Sequence, residues 1–239
     1  MFLLDLAQVL RLPRHSTTAT ALVFWHKFDA FARTDDAAKA FDQKLIMSAC
    51  VHLACKQTEL PRKLRDILNA GFWIEQRGNP NIDPFLDTDN DLYWELKESL
   101  VAAELVLLRV LAFDTNVETP HSWVVYILQK VWLLAEDPHS IAASHDSNQL
   151  DVDERYALLA QNSWAIANDA FLVPQTCVGV NEVVLAAACV YLASQAANLS
   201  HLVSIENICY AARIKESTTI EIINTLLQGL PNLPLPVQK

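Results

Sequence analysis

Glycine is nearly missing from this 239-residue chain, which has only Gly71, Gly78, Gly179 and Gly229. With so few residues that take φ > 0 freely, tight hairpin turns are scarce, and the chain is expected to be helical. Four scattered glycines also cannot spell a G-x-G-x-x-G fingerprint or a Walker loop, so no nucleotide cofactor is expected. Basic charge is short too. There are 18 Lys and Arg against 28 Asp and Glu, a formal net charge of −10. That is the wrong sign for affinity gained by neutralising phosphates, so direct binding of nucleic acid is not expected. Long apolar runs are absent: the stretch Val183 to Ala193 is about half of the roughly 20 residues a membrane span needs. Met1 to Asp5 lacks a basic leader region and carries an acid early, which argues against a secretory signal. A soluble intracellular protein, nuclear or cytoplasmic, is expected. The five cysteines include no C-x-x-C pair, and four lie in apolar helical context, so they read as inert core thiols and not as zinc ligands.

What the chain does contain is a repeat. Ala49-Cys-Val-His-Leu-Ala-Cys-Lys56 reappears as Ala188-Cys-Val-Tyr-Leu-Ala-Ser-Gln195. Each copy sits in a run that is apolar nearly all round, as a helix reads when neighbours cover every side of it. Each is therefore expected at the centre of a small bundle. The length suits two domains of about 100 residues each, and the expected division is 1–117 and 118–239. The first copy ends in a lysine and the second in neutral Gln195, so one bundle is expected to carry a job and the other to support it.

Helices are expected over Met1–Leu10, Ser16–Ala32, Lys39–Gln57, Pro61–Ala70 and Asp91–Phe113, then over His121–Ala135, Val152–Phe171, Val180–Ala197, Ile205–Ala212 and Thr218–Leu230. The first has no capping residue before it, as though its front end were missing. Ser16-Thr17-Thr18 reads as a cap for the second, and Pro61 as the first-turn proline of the fourth. Residues 71–90, rich in Gly, Pro, Asn and Asp, read as irregular. The polar, aperiodic Glu136–Asp151 stretch reads as an exposed loop, and the three prolines of Pro231–Lys239 as a surface tail.

Asp87-x-Asp89-x-Asp91 imitates a calcium loop, but the sixth position, where such a loop needs glycine, is Leu92, so helix capping is the better reading. His121, His139, His145 and His201 stand at helix ends or in loops beside no nucleophile, which predicts surface or capping roles. Arg65-Asp66-Ile67-Leu68 fits a minimal degradation-box pattern but falls within an expected helix. Two charges stand apart. Glu104 interrupts the apolar row of Leu100 and Leu108, and Lys56 extends the row Leu45, Ala49, Leu53. One reading is structural, with Lys56 facing its helix C-terminus and Glu104 paired to Arg109 or Lys97. The other is functional: both stand on an apolar surface and bond to a partner that covers them.

Two successive bundles of about five helices, with Leu53-Ala-Cys-Lys56-Gln-Thr-Glu59 ending the third helix and Glu104-Leu-Val-Leu-Leu-Arg-Val-Leu-Ala-Phe113 in the fifth, resemble a cyclin. Leu64-Arg-Asp-Ile67, Tyr93-Trp-Glu-Leu-Lys-Glu-Ser-Leu100, Pro120-His121, Thr18-Ala-Thr-Ala21 and His26-Lys-Phe28 are most similar to the cyclin Q type, also called cyclin M. The resemblance implies an all-α protein of two five-helix cyclin boxes with a short first helix. It also implies a non-catalytic subunit that binds and activates a cyclin-dependent Ser/Thr kinase, cyclin-dependent kinase ten for this type, with no cofactor, metal or membrane. Carried to matching positions, Lys56 and Glu104 would contact the kinase beside its regulatory C-helix. Leu53, Gln57, Leu108 and Phe113 would line the apolar part of that surface, with Glu59 at its rim. Cys55 departs from the Gly, Ala or Ser common before the lysine, and the second box is too diverged for its contacts to be named. The alternatives are a transcription-associated cyclin of the C, K, L or T type, or a cyclin-fold adaptor like transcription factor IIB. The adaptor lacks its basic surface here.

Overall fold

The computed structural model describes residues 1–79, 85–135, 152–199 and 203–230. The expected Glu136–Asp151 loop with His139 and His145, His201, and the tail Pro231–Lys239 lie outside the described residues. The chain divides into two compact units, Met1–Val117 and Glu118–Lys239, and every regular element described is helical.

The first unit holds α1 (Phe2–Val9), α2 (Ala19–Thr34), the four-residue α3 (Asp36–Lys39), α4 (Gln43–Gln57), α5 (Leu64–Glu75) and α6 (Asp91–Val110). Helix α4 packs against α1, α2, α5 and α6, and every residue from Ile46 to Cys55 is buried. Its lysines, Lys44 and Lys56, stand at its two ends. It starts at Gln43, later than expected, because the Asp42 side chain accepts the Lys44 N–H while Asp35 caps the separate α3. Two such caps close together outcompete one continuous helix.

The starts of α2 and α5 differ from expectation as well. Ser16–Thr18 do not cap α2. Arg14–Thr18 form a turn of π-helix, and Thr17 and Thr18 are buried. Thr17 Oγ1 instead meets Thr58 Oγ1 at the end of α4, 2.7 Å away. Thr58 already donates to the Ala54 carbonyl, so Thr17 is the donor. Helix α5 starts at Leu64 with Lys63 as its cap residue, leaving Pro61 outside. It then runs past Gly71 to Glu75, with the Phe2 ring of α1 beside that glycine. Ile67 and Leu68 of the degradation-box-like stretch are buried in α5. The α6 cap is Asn90, whose side chain accepts the Leu92 N–H. Of the neighbouring acids, Asp87 accepts the Thr88 N–H and Asp91 lies in the first turn of α6.

The second unit holds α7 (His121–Ala135), α8 (Val152–Ala170), the four-residue α9 (Pro174–Cys177), α10 (Glu182–Ala196), α11 (Ile205–Ala212) and α12 (Glu216–Gly229). Helix α10 packs against α7, α8, α11 and α12, as α4 does against its own four neighbours. Leaving out α3 and α9, each unit has five helices around one buried member, and the repeated octapeptide is that member. His121 corrects the expectation of a surface histidine. It opens α7, as a helix-end residue should, but its ring is buried, tilted against Trp164 and stacked on Phe171. Its Nε2 lies 3.2 Å from Asn168 Oδ1. Cys50, Cys55, Cys189 and Cys209 are buried; burial pushes the Cys189 thiol up to about 12, and the Cys55 thiol up to about 11 against the opposing pull of the Arg62 charge.

The glycine shortage shows at the helix ends. Arg11, Glu59, Ala112, Asn198 and Arg213 all take left-handed φ between 51° and 56°. In each case the next residue's N–H bonds five residues back: Leu12 to Ala7, Leu60 to Cys55, Phe113 to Leu108, Leu199 to Ser194 and Ile214 to Cys209. This is the Schellman closure, in which an apolar residue after the left-handed one packs back on the helix. Leu12 and Leu199 are buried, and Leu60 and Ile214 are partly so. Phe113 is 66% exposed. The left-handed backbone costs a non-glycine residue about 1–2 kcal/mol. Arg213→Gly should therefore raise unfolding stability by about 0.5–1 kcal/mol, net of glycine's extra chain entropy. Urea unfolding checks this by a higher midpoint at unchanged slope, with Arg213→Val shifting the midpoint down.

Candidate functional site

Helices α4 and α6 pack along each other, and their shared edge brings the two singled-out charges together. Lys56 Nζ donates to Glu104 Oε1 at 2.5 Å. The second carboxylate oxygen, Oε2, lies 2.6 Å from Nδ1 of His52, one turn before Lys56 on α4. An ionised carboxylate only accepts, so the His52 ring carries its proton on Nδ1 and donates. The Glu104 side chain is 13% exposed and that of Lys56 is 50% exposed, while His52 is buried. The carboxylate is thus held from inside by a rigid ring and from the rim by a flexible ammonium. Burial by itself pushes the Glu104 carboxyl up, but the hydrogen bonds from His52 and Lys56, with the positive charge beside it, outweigh that and hold it below the ordinary carboxylate range.

Glu104 does pair within the fold, but not with Arg109 or Lys97. Lys97 lies over the Trp94 ring at 4.3 Å. Gln57 is exposed, and its Oε1 accepts the Thr115 hydroxyl at 3.1 Å, tying the end of α4 to the segment after α6. Glu59 is exposed and Leu108 partly buried. Leu53 is 6% exposed, so little of it reaches the surface that it was expected to line. Two residues escaped the sequence reading. Val101 and Leu105, one turn before and one residue after Glu104, are 53% and 48% exposed. Apolar residues on a periodic helix read as core, so nothing in the pattern separates them from Leu100 or Leu107. His52 was missed as well, although its place four residues before Lys56 puts it on the same face. On α6, Val101 and Leu105 set exposed apolar groups beside the anchored carboxylate, and Phe113, past the end of the helix, is exposed as well. Among the described residues no group of three or more His, Cys, Asp or Glu side chains converges as a metal site, and no helix is long and apolar enough to cross a membrane.

Two repeated five-helix bundles with an edge of this kind define a class, and comparison with known proteins agrees with it. No family model matches the chain. It is 26% identical to human Cyclin-T2 over 227 residues, 93% of this chain and 27% of that protein. With human Cyclin-L1 it shares 30% identity over 189 residues, 79% of this chain and 31% of that protein. The chain thus spans less than a third of the length of these curated relatives. Among solved structures, a chain in the CAK complex from Chaetomium thermophilum bound to ATP-gamma-S aligns with a TM-score of 0.61 at 14% identity, covering 97% of this chain and 61% of that one; this is a likeness of fold. Over most of its own length the chain is thus similar to cyclins.

The depressed Glu104 pKa makes stability depend on pH. A carboxyl held below its unfolded value stabilises the fold above that value, and the gain disappears as pH falls through the folded one. At neutral pH Glu104→Gln should cost about 1–3 kcal/mol, the range for hydrogen bonds to a charged group. The gap between wild type and variant should close on acidifying below the ordinary carboxylate range. Chemical unfolding at several pH values measures it, and a gap independent of pH would show that the charge of Glu104 plays no part.

Proposed function

We propose that the chain is the regulatory subunit of a cyclin-dependent Ser/Thr kinase, docking on the kinase's regulatory C-helix through the α4–α6 edge of the first unit. The observation that carries this is the anchored Lys56–Glu104 pair set among the exposed Val101, Leu105 and Phe113. A charge pair already bonded and partly dehydrated costs little more to cover, and the apolar groups around it gain from being covered. Lys56 keeps two unused N–H donors, and each Glu104 oxygen keeps an acceptor site, enough to bond a partner's backbone or side chains. Residues 1–117 would be the kinase-binding cyclin box and 118–239 a supporting one. The cyclin supplies no catalytic group. Binding favours the kinase conformation in which the C-helix glutamate meets the ATP-positioning lysine, a population shift.

For the particular kinase, the motifs from Leu64 to Leu100 favour the cyclin Q type and cyclin-dependent kinase ten. The curated likenesses to Cyclin-T2 and Cyclin-L1 favour a T- or L-type partner as the second reading. Either would act in the nucleus or cytoplasm. The test is to measure affinity and peptide phosphorylation with purified cyclin-dependent kinase ten and with the kinase partners of T- and L-type cyclins. Wild type should bind and activate one of them. Glu104→Arg should lose affinity by roughly 2–5 kcal/mol, about 30-fold or more, with its helical circular dichroism intact. Leu105→Asp, at an exposed site that the fold tolerates, should lose affinity as well. Unchanged affinity in both folded variants would sink the interface, and a folded wild type that binds none of these kinases would point to the adaptor.

A further inference from the structure

Lys56 alone cannot fix the carboxylate it bonds. Its side chain is half exposed, and a single contact to one oxygen leaves the carboxylate plane free to swivel about that contact. The second contact comes from His52 Nδ1 at 2.6 Å, on a ring that is buried in the fully packed part of α4. With one donor on each oxygen the plane is set, and the remaining acceptor directions point where a partner would lie. The repeat offers an independent observation. The two octapeptides differ at three places, His52 against Tyr191, Cys55 against Ser194 and Lys56 against Gln195. The copy without the lysine is also the copy without the histidine.

We propose that His52 is a positioning residue of the docking site: from inside the bundle it fixes the Glu104 carboxylate in the orientation that the kinase reads. This rests on the function proposed above. His52 touches no partner itself and acts through Glu104. In asparagine the side-chain Nδ2 is as many bonds from the backbone as Nδ1 is in histidine, so His52→Asn keeps a donor in place. His52→Leu keeps apolar bulk and removes it.

The experiment measures affinity for the kinase that wild type binds most tightly among the purified set, using wild type, His52→Asn, His52→Leu, Glu104→Ala and the double variant His52→Leu with Glu104→Ala. Unfolding midpoints are taken alongside. His52→Leu should weaken binding about tenfold, the scale of a lost hydrogen bond to a charged group, and His52→Asn should return it to within about twofold of wild type. In the Glu104→Ala background His52→Leu should have no further effect, because alanine leaves no oxygen for His52 to bond. The inference is overturned if His52→Leu binds like wild type, or if it weakens binding equally in both backgrounds, which would make it a packing residue. A failure of His52→Asn to restore affinity at a wild-type midpoint also overturns it. If wild type binds none of the kinases, the proposed function falls, and this inference with it.

Discussion

A helix with neighbours on every side has no face left for water, and this constraint governs both units. Helix α4 touches four others and buries ten successive residues, so an unpaired charge in its middle would cost several kcal/mol. Its lysines are therefore confined to its ends, and the one titratable imidazole in its interior is bonded to a carboxylate. Helix α10 meets the same demand differently, with no charged residue between Val183 and Ala196. Exposed chemistry in the first unit consequently gathers at the rim, where the end of α4 meets the side of α6. The site lies where it does because this is the nearest position to the core at which a charge is tolerated.

Much of this was legible in the sequence because burial on all sides leaves a local trace. The paired apolar runs, the α6 stripe of Leu100, Ala103 and Leu107, and the limits of α7 and α11 all follow from composition and period. The late start of α4 came from local caps at Asp35 and Asp42, but in several other places tertiary contacts decided what local signals left open. The Thr17 hydroxyl resembles a cap until Thr58 claims it. Gly71 resembles a breaker until Phe2 packs beside it. His121 looks like a surface histidine until Trp164, Asn168 and Phe171 close around it.

The site was half legible for the same reason. Lys56 and Glu104 each broke an apolar row and so could be singled out one at a time, but their bond spans 48 residues, and no period reports that. His52 broke its row too, yet a lone histidine among buried residues looks like any satisfied core side chain. Val101 and Leu105 were invisible because hydrophobicity alone does not tell a buried leucine from a waiting one. Their exposure has an electrostatic side: when apolar groups beside a salt bridge are covered, water leaves and the effective dielectric falls, so the pair's hold on anything bonded to it strengthens.

The left-handed helix ends bear on when the surface comes into being. Arg11, Glu59 and Arg213 do not favour that backbone locally, so the stops after α1, α4 and α11 are held by Leu12, Leu60 and Ile214 packing back onto a finished bundle. In a chain still emerging or partly unfolded, α4 would have no reason to end at Gln57. The edge at the end of α4 is thus a product of completed folding, and a partner that relied on it would pass over immature copies, which would make recognition itself a form of quality control.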